Sequence, residues 1–272
     1  MLRMQLLIGF IAAVTIAYIA YRAHSLNSSG AYAAAFLGTV VFGVGGWQWA
    51  ILLLTFFITS SALSRAFRNR KQALREKYSK GHERDAGQVL GNGAMAALFA
   101  GFHAFYPESM IPWIGFAASL AAVNADTWAT ELGVLNPTPP HLITDLKKRV
   151  EKGTSGGISL WGTGASLLGS SVIALLAVLL SPNENTLTTD HFLLITASGL
   201  SGSLFDSFLG ATVQAMYYCL TDKKETEKHP LHTCGTETVH LRGWKWLNND
   251  WVNFACGAFG ALVAFLLNSN IR

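Results

Sequence analysis

Apolar residues along the chain gather into eight runs separated by short polar links: residues 4–21, 31–46, 47–63, 85–105, 111–125, 158–180, 191–220 and 251–267. These runs lack the strict alternation of half-buried strands, and most approach the roughly 20 residues a helix needs to cross a bilayer. The pattern predicts an all-α fold, a polytopic transmembrane helix bundle of about 7–8 spans. Residues 4–21, flanked by Arg3, Arg22 and His24, lack a strong basic leader and a small-x-small cleavage site, and so read as a first membrane helix rather than a secretory signal. Residues 31–46 are short and rich in Ala and Gly, as in closely packed membrane helices. Trp47 and Trp49 open the third run where interfacial aromatic anchors would sit, and SGLSGS inside the seventh predicts a broken or bent helix.

The links differ in charge. Residues 64–84 carry Arg65, Arg68, Arg70, Lys71, Arg75, Lys77, Lys80 and Arg84, and residues 145–152 and 221–245 are also basic. The links near 46, 108 and 185 have no Lys or Arg. The positive-inside rule then places loops 64–84, 127–157 and 221–248 in the cytoplasm and both termini outside. A bacterial inner membrane or an organelle membrane would suit this layout. Composition agrees: 51% of residues are hydrophobic and 13% charged, against roughly 25% charged in soluble domains. No shift in composition marks a second domain. The net charge of +4 is explained by the loops, so no nucleic acid partner is expected. Cys219, Cys234 and Cys256 have no framework spacing and read as packing residues.

Polar residues within the apolar runs carry the candidate chemistry. Asp85, Gln88 and Asn92 fall at i, i+3 and i+7 on one face of the fourth run. Asn124, Thr127 and Glu131 repeat that spacing at the exit of the fifth, with Asp126 beside them. Ser203, Asp206 and Ser207 lie in the seventh, and Asn249, Asp250 and Asn253 begin the eighth. Such groups are costly in a membrane unless they face a shared interior site. Oxygen donors without paired His or Cys suit Mg²⁺ or Mn²⁺ better than Zn²⁺. Lys152, Gly153, Thr154, Ser155, Gly156 and Gly157 then form a glycine-rich entry to the sixth run, a phosphate-binding composition that is not a Walker A loop. Alone it would be a tight turn at a helix start, but beside the acidic stripes it reads as a ligand site. His229, His232, Cys234 and His240 are zinc-ligand types without a familiar finger spacing, and read as polar loop residues.

Five motifs, HERDAGQVLGNG, NADTWATELG, KGTSGGISLWGTGAS, GSLFDSFLGATVQ and LNNDWVNF, in this order, span residues 82–254. Together they resemble the integral membrane family that contains the phytyl-phosphate kinase of tocopherol and phylloquinone synthesis. The resemblance implies phosphoryl transfer from a nucleoside triphosphate, CTP foremost, to an isoprenoid lipid monophosphate such as phytyl phosphate, giving the diphosphate. It implies Asp126, Glu131, Asp206 and Lys152 as catalytic residues, the first three holding Mg²⁺. Arg84, the segment 152–157 and Asn249 would bind phosphate and nucleotide, and the remaining polar residues of the four stripes would line the site. Trp128, Trp161 and Gly91 depart from the family's pattern. A secondary transporter also uses polar groups within broken helices, and a cytidylyltransferase-type lipid enzyme uses similar parts. Both stand as alternatives.

Overall fold

The computed structural model describes residues 2–67, 83–182 and 188–269; most of the basic link 64–84 and residues 183–187 lie outside this set. Helix α1 spans Leu2–Arg22, α2 Ser28–Val40, α3 Trp47–Ala66, α4 Ala86–His103, α5 Ile111–Gly133, α6 Leu160–Leu179, α7 Thr189–Thr212 and α8 Asn249–Asn268. One π-helical turn, Val41–Gly45, continues α2, and Gly46, with φ of 90°, turns the chain into α3. Six of these helices are long and apolar enough to cross a membrane, namely α1, α2 with its π turn, α3, α6, α7 and α8. The protein is a multi-pass helix bundle. Polar groups and small residues dilute the apolar content of α4 and α5, and neighbouring helices wrap α5 instead of lipid.

α5 is the axis of the bundle. Every residue from Pro112 to Ala125 is buried, and the helix packs against α3, α4, α6, α7 and α8. Membrane helices gain little from hydrophobic expulsion, so close contact between small residues must hold them together. A Cβ at Gly199 would lie 2.9 Å from the Ala121 Cβ, one at Gly202 2.5 Å from the Ala122 Cβ, and one at Gly260 2.7 Å from the same Ala122 methyl. These contacts correct the expectation of a broken seventh helix. The glycines of SGLSGS are approach points for α5 within a continuous α7, which ends at Thr212 before a strand.

Trp49 also departs from expectation. It is fully buried, with ring centroids 5.0 Å from His103, 5.0 Å from Trp113 and 4.7 Å from Phe116. Residues two apart on a helix differ by about 200° around its axis, so an exposed Trp47 turns Trp49 into the core. α5 likewise runs past Ala125 to Gly133, because Trp128 packs over Gly169 of α6 and Glu131 meets Ser64 of α3.

The links at one end fold into two small antiparallel sheets. Between α5 and α6, β1 (His141–Leu142), β2 (Asp145–Arg149) and β3 (Gly157–Ile158) take the order β2-β1-β3. Between α7 and α8, β4 (Met216–Cys219), β5 (Lys224–Thr226) and β6 (Thr238–Arg242) take the order β5-β4-β6. Four helices, α2, α4, α6 and α8, enter the bundle from this end, each with a side-chain cap; on α2, Asn27 Oδ1 accepts from the Gly30 amide at 2.9 Å. Asp85 and Gln88 form a reciprocal capping box on α4, Ser159 accepts from the Gly162 amide on α6, and Asn248 accepts from the Asp250 and Trp251 amides on α8. The positive ends of four helix dipoles thus lie at this end.

Candidate active site

A cavity of about 640 Å³ opens among these helix ends and sheets. It gathers residues from all five motifs: Arg84, Gln88 and Asn92; Asp126 and Glu131; the whole of Lys152 to Gly157; Ser203, Asp206 and Ser207; and Asn249 and Asn253. Distant stretches of sequence are therefore brought to one depth by the up-and-down path of the chain.

Three expected site residues lie off the cavity wall. Asp85 is spent on the α4 cap, accepting from the Gln88 amide at 2.9 Å. Asn124 is fully buried, its Nδ2 donating to the Gly169 carbonyl at 2.7 Å and its Oδ1 accepting from Thr59 Oγ1 at 3.3 Å. It clasps α3, α5 and α6 together. Asp250 sits in the first turn of α8, whose backbone presses on α4: a Cβ at Gly91 would come 2.6 Å from the Asp250 carbonyl oxygen. Gly91 and Trp128, two departures from the family's pattern, are thus packing features, since Trp128 fills the space that the missing side chain of Gly169 leaves.

Arg84 stands at the mouth of α4. Its amide donates to the Ser25 carbonyl at 3.0 Å and its carbonyl accepts from the Asn27 amide at 3.1 Å, which fixes its backbone against the start of α2. The guanidinium lies 5.7 Å from the Phe56 ring centre and 5.9 Å from that of Phe57. Burial pulls its proton affinity below the usual range, and the charge of Glu131 opposes that shift. Glu131 Oε1 accepts from Ser64 Oγ at 2.6 Å, so Glu131 belongs with Arg84 and Ser64. Among the described residues, Asp126, Glu131 and Asp206 do not close into one tight ligand cluster.

Asp206 is the residue best placed for a cation. Its Oδ2 is buried with no hydrogen-bond partner among the described residues, and Asp126 and Glu227 are the acidic groups whose charge it feels. An uncompensated carboxylate at this depth is expensive, and a hard divalent cation held by one or two carboxylates relieves it. The donor set fits Mg²⁺ or Mn²⁺.

The glycine segment is more firmly built than its sequence suggests. Gly153 and Gly156 have φ of 77° and 84°, a region that side chains disfavour. A Cβ at Gly156 would also lie 2.5 Å from the Ala211 Cβ, so the turn sits directly on the end of α7. Lys152 Nζ donates to the carbonyls of Val134 at 3.3 Å and Asn136 at 2.5 Å, tying the segment to the C-terminal end of α5. Ser155 Oγ donates to Gln214 Oε1 at 2.8 Å, and Gln214 Nε2 donates to Glu227 Oε1 at 3.0 Å. That chain joins the two sheets across the cavity. Gln214, Glu227, Lys228, Thr233 and Ser64 also line or brace the site and were not anticipated. Gln214 ends the motif GSLFDSFLGATVQ, so a signal for it existed; Glu227, Lys228 and Thr233 lie in a loop without one.

A second, apolar cavity of about 140 Å³ runs among α1 to α4, walled by Ala17, Leu37, Leu53, Phe57 and Val89. It shares Arg84, Gln88 and Asn92 with the polar cavity. One guanidinium-bearing residue and two amide-bearing ones thus line both spaces.

Residues 11–261 match the family described as Integral membrane protein DUF92. Protein PGR of Arabidopsis thaliana is 31% identical over 270 residues, covering 92% of this chain and 91% of that protein. An uncharacterized membrane protein of Methanocaldococcus jannaschii is 32% identical over 207 residues, covering 76% of this chain and 82% of that protein. The chloroplastic protein VTE6 of A. thaliana is 27% identical over 251 residues, covering 90% of this chain and 66% of that protein. No solved structure matches the chain. A match over nearly the whole bundle, with all five motifs meeting at one cavity, places this chain in the Integral membrane protein DUF92 family.

Proposed function

We propose that the protein transfers the γ-phosphoryl group of a nucleoside triphosphate, CTP foremost, to an isoprenoid lipid monophosphate of the phytyl phosphate type, giving the lipid diphosphate. The observation that carries this reading is the border at Arg84, Gln88 and Asn92, residues that line both a polar cavity with anion-binding features and an apolar groove. An amphiphile with a phosphate head and a hydrocarbon chain has that shape. The resemblance of the motifs to the phytyl-phosphate kinase family supports the same substrate class.

Phosphoryl transfer asks the protein for positioning and charge neutralisation more than for covalent chemistry. Asp126 and Asp206 would hold the divalent cation, which supplies neutralisation of the phosphate charge when bound. The amides and hydroxyls of the 153–157 turn, beside the start of α6, would cradle the triphosphate, with Asn249 at the start of α8 adding a polar contact. Lys152, by gripping the end of α5, holds that turn in register. Arg84 would take the acceptor phosphate, and its anchoring by Ser25 and Asn27 holds it at that border. An oxygen of the lipid phosphate forms a bond to the γ-phosphorus as the bond to the β–γ bridging oxygen breaks, and CDP departs. The attacking phosphate is already anionic at neutral pH, so no general base is needed.

Purified protein supplied with Mg²⁺, labelled CTP, ATP or UTP, and a panel of phytyl, farnesyl, geranylgeranyl and polyprenyl phosphates with their free alcohols tests the reading. Labelled diphosphate from a prenyl phosphate is the expected product. Release of inorganic diphosphate would favour cytidylyl transfer instead, and nucleotide-independent uptake of an anion into proteoliposomes would favour transport.

A further inference from the structure

The sheet between α7 and α8 holds a second cluster that the reaction does not use. Cys219 ends β4, Asp222 lies in the turn to β5, and His232 and Cys234 lie in the loop between β5 and β6. One ligand atom from each, two sulfurs, an imidazole nitrogen and a carboxylate oxygen, all lie within 4.8 Å of one another. We propose that these four residues bind one zinc ion, which braces the loop forming this wall of the cavity.

The distances fit a shared centre. Zinc bonds of about 2.3 Å to sulfur and about 2.0–2.2 Å to nitrogen or oxygen place tetrahedral ligand atoms roughly 3.3–3.8 Å apart. The Cys219 and Cys234 sulfurs are 3.5 Å apart. His232 Nδ1 and Asp222 Oδ2 are 2.8 Å apart and would open by roughly half an ångström around a metal. The ring of His232 is fully buried, whereas Asp222 and Cys234 reach the surface, which leaves an entry path.

The surroundings are those of a ligand knuckle. The Asp222 amide donates to Cys219 Sγ at 3.4 Å, the kind of outer contact that offsets thiolate charge. Two turns shape the ligands into one concavity: Lys223 with φ of 52° and Gly235 with φ of 81°, the latter closed by the Gly235 amide donating to the His232 carbonyl at 2.9 Å. Thr221 and Thr236 hydroxyls meet at 2.9 Å across the two ligand loops. Two soft sulfurs with an imidazole select zinc over the hard cations suited to Asp206. A fourth protein ligand closes the coordination sphere, as in structural rather than catalytic zinc sites.

The consequence reaches the cavity without entering its chemistry. Thr233, between ligands His232 and Cys234, lines it, as do Glu227 and Lys228 at the start of the same loop. Neither this short sheet nor its loop has a large apolar core, so a metal clip is an effective way to order them.

Metal analysis of the full chain tests this. Protein carrying no polyhistidine tag, purified in detergent under reducing conditions, should hold about one zinc per chain. The Cys219→Ser/Cys234→Ser variant should drop to background, whereas Asp206→Asn should keep its zinc, which separates this centre from the acidic site. If the double variant fails to fold, the wild-type protein still decides the matter. Replacing zinc with Co²⁺ should produce thiolate-to-cobalt charge-transfer absorption, and chelation should raise hydrogen exchange in residues 216–242. Wild-type protein without zinc and without cobalt charge-transfer bands would overturn the proposal. So would a Cys219–Cys234 disulfide found by mass mapping of unreduced protein, or undiminished zinc in a folded double variant.

Discussion

Both flanks of the bundle use close glycine contacts, but only one leaves an apolar groove between its helices. Around α5, helices α6, α7 and α8 approach until glycine meets alanine or backbone, leaving no room for a Cβ at Gly199, Gly202 or Gly260. Around α1 and α2 glycine also meets alanine or backbone, at Gly38 against Ala13 and Gly9 against Gly43, yet an apolar groove remains among α1 to α4. The tight flank carries Asp126, Asp206 and Asn253; the looser one supplies the groove and, through Ser25 and Asn27, the anchor for Arg84. Groups that, on the proposed reading, would hold a cation and phosphates within about half an ångström belong on rigid elements. A hydrocarbon chain, bound without directional contacts, tolerates a pliable wall.

Several substitutions would break or sharpen this contrast. The largest effect on turnover is expected from Asp206→Asn, which removes a carboxylate oxygen that would ligate the proposed cation. The proposed prenyl-phosphate kinase activity should fall by about 100-fold or more, while the melting temperature in detergent stays level, because Asp206 Oδ2 has no hydrogen-bond partner among the described residues to lose. Full activity in this variant would remove Asp206 from the proposed site. Gly202→Leu attacks the packing itself. Overfilling the contact with Ala122 should destabilise the bundle by about 3 kcal/mol, read as a lower melting temperature and reduced yield of folded protein; an unchanged melt would mean that α5 and α7 are less tightly joined than these contacts indicate.

Arg84→Gln lies at the seam between the flanks. If Arg84 takes the acceptor phosphate as proposed, loss of that charge-assisted contact should raise KM for the lipid by roughly 10–100-fold and leave KM for the nucleotide nearly unchanged. A rise in the nucleotide KM alone would reassign Arg84 to the triphosphate. The smallest effect is expected on the loose flank, where Ala17→Phe narrows the groove. It should shift preference toward shorter prenyl phosphates by about 3–10-fold, measured as the ratio of kcat/KM for farnesyl and phytyl phosphates. An unaltered ratio would place the chain elsewhere among the spans.

Much of this layout was legible because membranes impose few options. Each long apolar run became a helix, and the polar stripes met at one end as their depths required. The acidic and glycine motifs could be connected before any coordinates because the chain passes up and down, returning every second link to the same side. Individual residues were harder to assign. Asn124 carries the same amide as a ligand, yet it clasps α3, α5 and α6, and Asp85 caps α4. A side chain's partner depends on rotation around the helix and on what the neighbouring helix presents, and neither is written in spacing along one strand of sequence. Trp49 shows this directly, since its exposed neighbour Trp47 shares its type and depth but not its face.

The cysteines mark the limit in another way. Cys219 and Cys234 are separated by a turn, a strand and a loop, so their spacing matches no familiar pattern, and only the pairing of β4 with β5 and β6 brings them within reach. The sequence by itself determined the membrane class, the helix positions, the family motifs and the end at which polar groups collect, because hydropathy and period act locally along the chain. Tertiary structure alone decided which polar groups face the cavity, that the glycines of α7 seat it against α5, and that Arg84 lines both the groove and the polar site, because those follow from the close approach of surfaces distant in sequence.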